Sequence, residues 1–111
     1  MACIFCKIVN KEIPSSVVYE DDKVLAFNDI APQAPVHILI IPKAHVASMA
    51  ELEDMEVVRD LFSVMKRLAE EKGIAKSGYR IVINHGKDAG QAVPHLHFHL
   101  LGGRPLTWPP G

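Results

Sequence analysis

Three of the chain's six histidines stand in one alternating run, Pro94-His95-Leu96-His97-Phe98-His99-Leu100-Leu101. Extended backbone sends side chains at i, i+2 and i+4 to the same face, about 7 Å from one to the next. The three imidazoles therefore share a surface, and Leu96, Phe98 and Leu100 point the other way, toward a core. Imidazole is the side chain that serves as nucleophile, proton donor or metal ligand near neutral pH. The run predicts a working face; the bland alternatives are a histidine metal patch or a chance polar side.

The segment leading into it, Asn84-His85-Gly86-Lys87-Asp88-Ala89-Gly90-Gln91, is a loop whose glycines let backbone amides approach phosphate oxygens. Loop and histidines together suit a phosphate ester or phosphoramidate. A middle imidazole that attacks phosphorus must be neutral, with one ring nitrogen donating to a carbonyl or neighbouring side chain while the other attacks. His99, on the same face, is placed to stabilise phosphoryl oxygens or the protonated state. Water then hydrolyses the covalent intermediate, and no metal is required.

The elements that must hold this face are legible from periodicity. Val17 to Glu20 and Lys23 to Asn28 read as a hairpin turning at Asp21-Asp22, and His37 to Ile41 reads as a central strand ended by Pro42. Ser48-Met49-Ala50-Glu51 has the form of a capping box, and Leu52, Met55, Val58, Leu61, Phe62, Met65, Leu68 and Ala69 follow at helical spacing to a stop at Gly73. That stripe is core. Tyr79 to Asn84 alternates as a strand, and Cys3 to Lys11 reads as a short helix with Phe5 and Ile8 on one side.

At 111 residues, 49% hydrophobic, the chain fits a single domain, residues 1–111, with a small core. Twelve Lys and Arg lie scattered among thirteen Asp and Glu, which argues against a nucleic-acid partner. The apolar run at His37 to Ile41 is too short to span a bilayer, no signal peptide is expected, and a cytoplasmic protein with no membrane association follows. Cys3 and Cys6 form a C-x-x-C pair, which in a reducing compartment points to metal binding or redox work, the alternative being two plain small side chains.

His95-Leu96-His97-Phe98-His99-Leu100-Leu101 resembles the signature of the histidine triad (HIT) family, and Leu101-Gly102-Gly103-Arg104 with Trp108-Pro109-Pro110-Gly111 is similar to its Hint branch of nucleoside phosphoramidases. Ile4-Phe5-Cys6-Lys7-Ile8, Lys11-Glu12-Ile13-Pro14, Phe27-Asn28-Asp29-Ile30, Pro32-Gln33-Ala34-Pro35 and Ile41-Pro42-Lys43 extend the resemblance over nearly the whole chain. It implies an α+β fold, a five-stranded antiparallel sheet with one main helix and a short N-terminal helix, and a homodimer joining two sheets. The tail, residues 102–111, would contribute to dimer and site.

The implied substrates are purine nucleotides carrying an amine or acyl group on the α-phosphate. By the same resemblance His97 is the nucleophile, His99 and Asn84 surround the phosphate, and Gly90 and Val93 offer it backbone contacts. Asp29 accepts from ribose, Phe5, Ile8 and Ile13 wall the base, and Trp108 reaches the partner subunit's site. Ala92 departs from the pattern, standing where many Hint proteins carry a serine that helps protonate the leaving amine; Pro94 and Thr107 are further departures.

The resemblance also implies that His45 and His95 close a structural zinc site with Cys3 and Cys6, while His37 and His85 read as structural or loop residues rather than ligands. A closed four-ligand site is structural. The favoured reading is a nucleotidyl hydrolase working through His97. A nucleotide-binding or partner-binding module with marginal catalysis, and a zinc hydrolase, are the alternatives.

Overall fold

The computed structural model describes residues 3–111. Its elements run α1 (Ile4–Val9), β1 (Val17–Glu20), β2 (Val24–Asn28), β3 (Val36–Pro42), a 3-10 turn (Met49–Glu51), α2 (Met55–Glu71), β4 (Tyr79–Ile83) and β5 (Phe98–Gly102). The five strands form one sheet in the order β1-β2-β3-β5-β4, and every neighbouring pair is antiparallel. As expected, β3 is the middle strand, and Pro42 is its last residue. No helix among the described residues is long and apolar enough to cross a membrane.

Alternation divides the apolar residues between two faces. Val24, Ala26, Ile38, Ile40, Leu96, Phe98 and Leu100 pack against Leu61, Met65 and Leu68 of α2. Leu25, Phe27, Leu39 and Ile41 face the opposite way and pack against Phe5 and Ile8 of α1. Both faces of β2 and β3 are thus covered, which is why their sequences are continuous apolar runs. The register sets Leu39 opposite His99, so β5 turns its histidine side to the α1 face.

Three local expectations are revised. Asp21 accepts from the amides of Lys23 and Val24 at 2.7 and 2.8 Å, so the first hairpin closes on a side-chain-capped turn and β2 starts at Val24 rather than Lys23. The Ser48 box opens only the 3-10 turn, because the Ser48 hydroxyl donates to Glu51 at 2.5 Å and makes no cap bond. The long helix begins at Met55, capped by Asp54, which accepts from the Glu56 amide at 3.0 Å. Finally, the sheet ladder takes in only Phe98 onward; His95 and His97 precede it on non-ladder backbone, with the Leu96 amide donating to Val46 O at 2.6 Å.

The C-terminus of α2 wraps over in a paired bond pattern, Gly73 N to Glu70 O and Ile74 N to Ala69 O, with Gly73 at φ 75°. Ile74, 3% exposed, then seats on β5 at Gly102, where an added Cβ would lie 2.7 Å from Ile74 Cδ1 and 3.1 Å from its Cβ and Cγ2. Gly102→Ala is expected to destabilise the fold by about 1–3 kcal/mol through overpacking. Urea unfolding of this variant, of Ile74→Ala and of the double variant checks it. The double variant should recover part of the loss; strict additivity would remove the contact as the cause.

Candidate functional site

The rings of His95 and His97 each meet a backbone carbonyl, which can only accept, and this settles which nitrogen carries the proton of the neutral ring. The His97 Nδ1 lies 2.7 Å from His95 O. A carbonyl only accepts, so in the neutral ring Nδ1 carries the proton and Nε2 holds the lone pair. His97 is 7% exposed, yet Nε2 has no hydrogen-bond partner and is not among buried unpaired atoms, so it opens on a cavity. That cavity, about 290 Å³, is lined by Ile4, Phe5, Ile8, Pro14, Ser15, Phe27, Asn28, Asp29, Ile30, Leu39, Ala92, Val93, His97 and His99.

His95 is fully buried and faces elsewhere. Its Nε2 donates to Pro42 O at 2.8 Å, leaving the Nδ1 lone pair 3.4 Å from Cys3 Sγ and 3.6 Å from Cys6 Sγ. His45 Nδ1 stands 3.3 Å from Cys6 Sγ, and the four ligand atoms all lie within 4.8 Å of one another. A tetrahedron of thiolates and imidazoles around zinc has sulfur-to-nitrogen edges of about 3.5 Å. The donor set fits such an ion, and the carbonyl bond behind His95 is the outer contact that orients a ligand ring. Burial, then the adjacent Cys3 thiol, push the Cys6 thiol up, so a thiolate at Cys6 calls for a cation beside it.

The metal-type cluster and the cavity share parts. Cys3 is the N-cap of α1, accepting from the Cys6 amide, and α1 carries Phe5, whose ring meets His95 and His97 edge-on at centroid distances of 5.9 and 5.1 Å. The helix that presents the apolar wall is thus rooted in the thiol and imidazole group.

A third group occupies the same face. His37 Nε2 is 2.9 Å from His99 Nδ1 and 3.4 Å from Asp29 Oδ2, and its Nδ1 accepts from the Gln33 amide at 3.0 Å. Burial lowers the His37 pKa against the pull of Asp29. Burial, with His97 and His37 adding to it, lowers that of His99 to about 4. Burial likewise lowers His95. Burial thus disfavours the charged form of His37, His95 and His99.

Of the residues singled out by sequence, Phe5, Ile8, Asp29, Val93, His97 and His99 meet at the cavity, and Ile13 packs against the apolar cluster beneath it. Asn84 follows β4 at the start of the loop, half-buried. Gly90, at φ 77°, donates its amide to Lys87 O within that loop. The loop is pinned by Gln91, whose amide donates to Ala47 O and Val93 O and accepts from Gly86 N, and by the His85 contact to Ser48. Trp108 is 80% exposed beside Arg80, away from the cavity of its own chain. His37 is the site residue that sequence reasoning passed over; its signal was a histidine inside an otherwise apolar strand.

Residues 10–106 match the HIT domain family. The chain is 54% identical to the 14 kDa zinc-binding protein of Zea mays, covering 97% of this chain and 87% of that protein. It is 53% identical to the adenylylsulfatase HINT1 of Arabidopsis thaliana, covering 97% and 76%. A solved HIT family hydrolase from Legionella pneumophila matches with a TM-score of 0.97 at 50% identity, over 99% of this chain and 100% of that one. The histidine run, the sheet that bears it and these likenesses agree: the chain belongs to the HIT domain family.

Proposed function

We propose that the protein is a nucleotidyl hydrolase that cleaves purine nucleoside phosphoramidates or related AMP and GMP conjugates at the α-phosphate through a covalent nucleotidyl-His97 intermediate. The observation that carries this reading is the His97 ring itself, with Nδ1 tied to His95 O and Nε2 free on the cavity. His99 stabilises phosphoryl oxygens, and Asn84, Gly90 and Val93 border the phosphate. Phe5, Ile8 and Ile13 hold the base, and Asp29 accepts from ribose. Relatives named as a hydrolase and an adenylylsulfatase support the reaction type.

Cys3, Cys6, His45 and His95 hold a structural zinc, in keeping with the zinc-binding relative. Zinc there supplies a cross-link between α1 and the residues before β5. A homodimer joins two sheets, bringing Trp108 of each tail toward the other subunit's site; the exposed indole supports this.

His97→Ala should lower turnover of an adenosine phosphoramidate by about 10² to 10⁴-fold, the range for loss of one chemical group, with AMP affinity by calorimetry kept. Intact-mass analysis of acid-quenched wild-type protein should show the nucleotidyl adduct, and its absence from the variant identifies the site. Wild-type turnover in the variant sinks the mechanism.

Metal analysis should find one zinc per chain. Its removal by chelation, or Cys6→Ser, should weaken nucleotide binding about tenfold or more, the worth of one buried aromatic wall, while chemistry on bound substrate suffers less. Equal losses in binding and turnover would instead point to zinc in the reaction.

The neutral histidines also fix a pH window. His37 and His99 titrate below the ordinary 6.5 when folded and at it when unfolded, so the unfolded chain binds more protons as pH falls from 6.5 toward 4. Stability is complete above that range and falls through it, by about 1–2 kcal/mol for a half-buried ring such as His99. Urea unfolding across this range should show the decline in wild type and a shallower one in His99→Gln.

A further inference from the structure

We propose that Gln91 is a positioning residue whose side-chain amide fastens the loop of residues 84–91 and the entry to the histidine run to one strip of backbone, residues 45–48, and so fixes the cavity wall that receives the phosphate. This rests on the phosphate-binding part of the reading above and adds to that site a residue that governs phosphate and not nucleoside.

Lys87, Asp88, Ala89 and Gly90 are exposed, so burial of side chains does not hold the loop in place. Gln91 supplies the contacts that do. Its backbone N–H donates to Gly86 O at 3.1 Å and its Oε1 accepts from Gly86 N at 3.0 Å, which closes the loop from Gly86 to Gln91 on both polar groups of Gly86. Its Nε2 donates to Ala47 O at 2.8 Å and to Val93 O at 3.0 Å. A carboxamide has two N–H donors, and the two carbonyls take both. The group cannot be turned over, because its oxygen would then face two carbonyls and its NH₂ the Gly86 N–H.

What this bracket holds lies against the His97 ring. Val93 O accepts a second time, from His95 N at 2.9 Å, across Pro94, whose ring fixes its own φ. His95 O in turn holds His97 Nδ1 at 2.7 Å. An unbroken series of bonds therefore runs from the Gln91 amide through Val93 and His95 to His97. Ala92 and Val93 line the cavity beside His97, and among the described residues their backbone amides have no hydrogen-bond partner. Two neighbouring N–H groups are thus left for phosphoryl oxygens, and donors of this kind work by being held in advance.

The strip at the other end of the bracket is engaged residue by residue. His45 Nδ1 lies 3.3 Å from Cys6 Sγ, Val46 O accepts from the Leu96 amide at 2.6 Å, Ala47 O accepts from Gln91, and the Ser48 hydroxyl meets His85 Nδ1 at 2.8 Å. The Ser48 proton goes to Glu51, so His85 Nδ1 donates, and the residue next to Asn84 is tied to the same strip. Phe5, Ile8 and Phe27, the apolar walls, stand on α1 and β2, which the Gln91 amide does not touch. Release of Gln91 loosens the phosphate side of the cavity and spares the base side.

The test compares affinity for AMP and for adenosine by calorimetry in wild type and in Gln91→Met, which keeps the length of the side chain and removes its hydrogen bonds. AMP affinity should fall about 10- to 100-fold, the worth of one or two amide bonds to a charged phosphate, while adenosine affinity stays within about twofold. For an adenosine phosphoramidate, kcat should fall about 10²-fold, as for reacting groups slightly misplaced. Ser48→Ala, which frees His85 and leaves the Gln91 bonds, should show a smaller split of the same sign. In wild-type protein, NMR should find the Gln91 side-chain N–H protons exchanging with water at least about tenfold more slowly than those of the exposed Gln33, a readout that holds even where a variant fails to fold. Equal losses for AMP and adenosine, an unchanged AMP affinity, or fast exchange at Gln91 overturns the proposal, as does a wild-type protein that binds AMP no better than adenosine. Failure of wild type to release AMP from a conjugate, with the binding split intact, sinks the hydrolase reading alone.

Discussion

A neutral imidazole has one proton and two nitrogens, and in this molecule fixed groups around each ring decide which nitrogen keeps it. Pro42 O claims the proton of His95, His95 O claims that of His97, and the Gln33 amide, acting through His37, assigns that of His99. Two of these fixed groups are carbonyls and one is an amide, and none can switch roles. The result is alternation along one segment that runs into β5: a lone pair turned toward the thiols, a lone pair turned into the cavity, and an N–H turned into the same cavity. Three identical side chains thereby present three different faces to their surroundings. Burial supports the assignment, because removal from water disfavours the doubly protonated ring.

The sheet exists in a form that makes this possible. Antiparallel pairing sets Leu39 against His99 and Ile38 against Leu100, so β5 offers imidazole to the α1 side and apolar groups to the α2 side. Sequence alone conveys that much, since period-two alternation and the Leu61, Met65 and Leu68 stripe of α2 are local patterns. Boundaries were harder to read. Ser48 looked like the helix cap because its hydroxyl and Glu51 have the right spacing, but that hydroxyl engages Glu51 and His85, and Asp54 caps α2 instead. A capping pattern reports a capable side chain; which partner claims it is decided by the fold.

The same limit explains His37. In the sequence it is a polar interruption of an apolar strand, and nothing nearby marks it as functional. Its partners lie at Asp29, Gln33 and, 62 residues away, His99, and only strand pairing of β3 with β5 brings them together. His95 was singled out as a candidate ligand through resemblance, yet the bond from its carbonyl to His97 was not legible, because a backbone carbonyl holding the histidine two residues on leaves no trace in residue types.

That double task of His95 links the two centres more closely than proximity alone. A helix of six residues such as α1 is far below the length that stands by itself in water. What keeps it in place is the Cys3 and Cys6 pair at its N-terminus and the burial of Phe5 and Ile8 against the sheet. The ring that faces those thiols, His95, belongs to the same residue whose carbonyl orients His97, and Phe5 touches both rings. Displacing the thiol cluster would thus disturb the apolar wall of the cavity first and the His97 ring second, through one shared residue. A cluster that does not line the cavity can in this way still govern how the His97 ring is held.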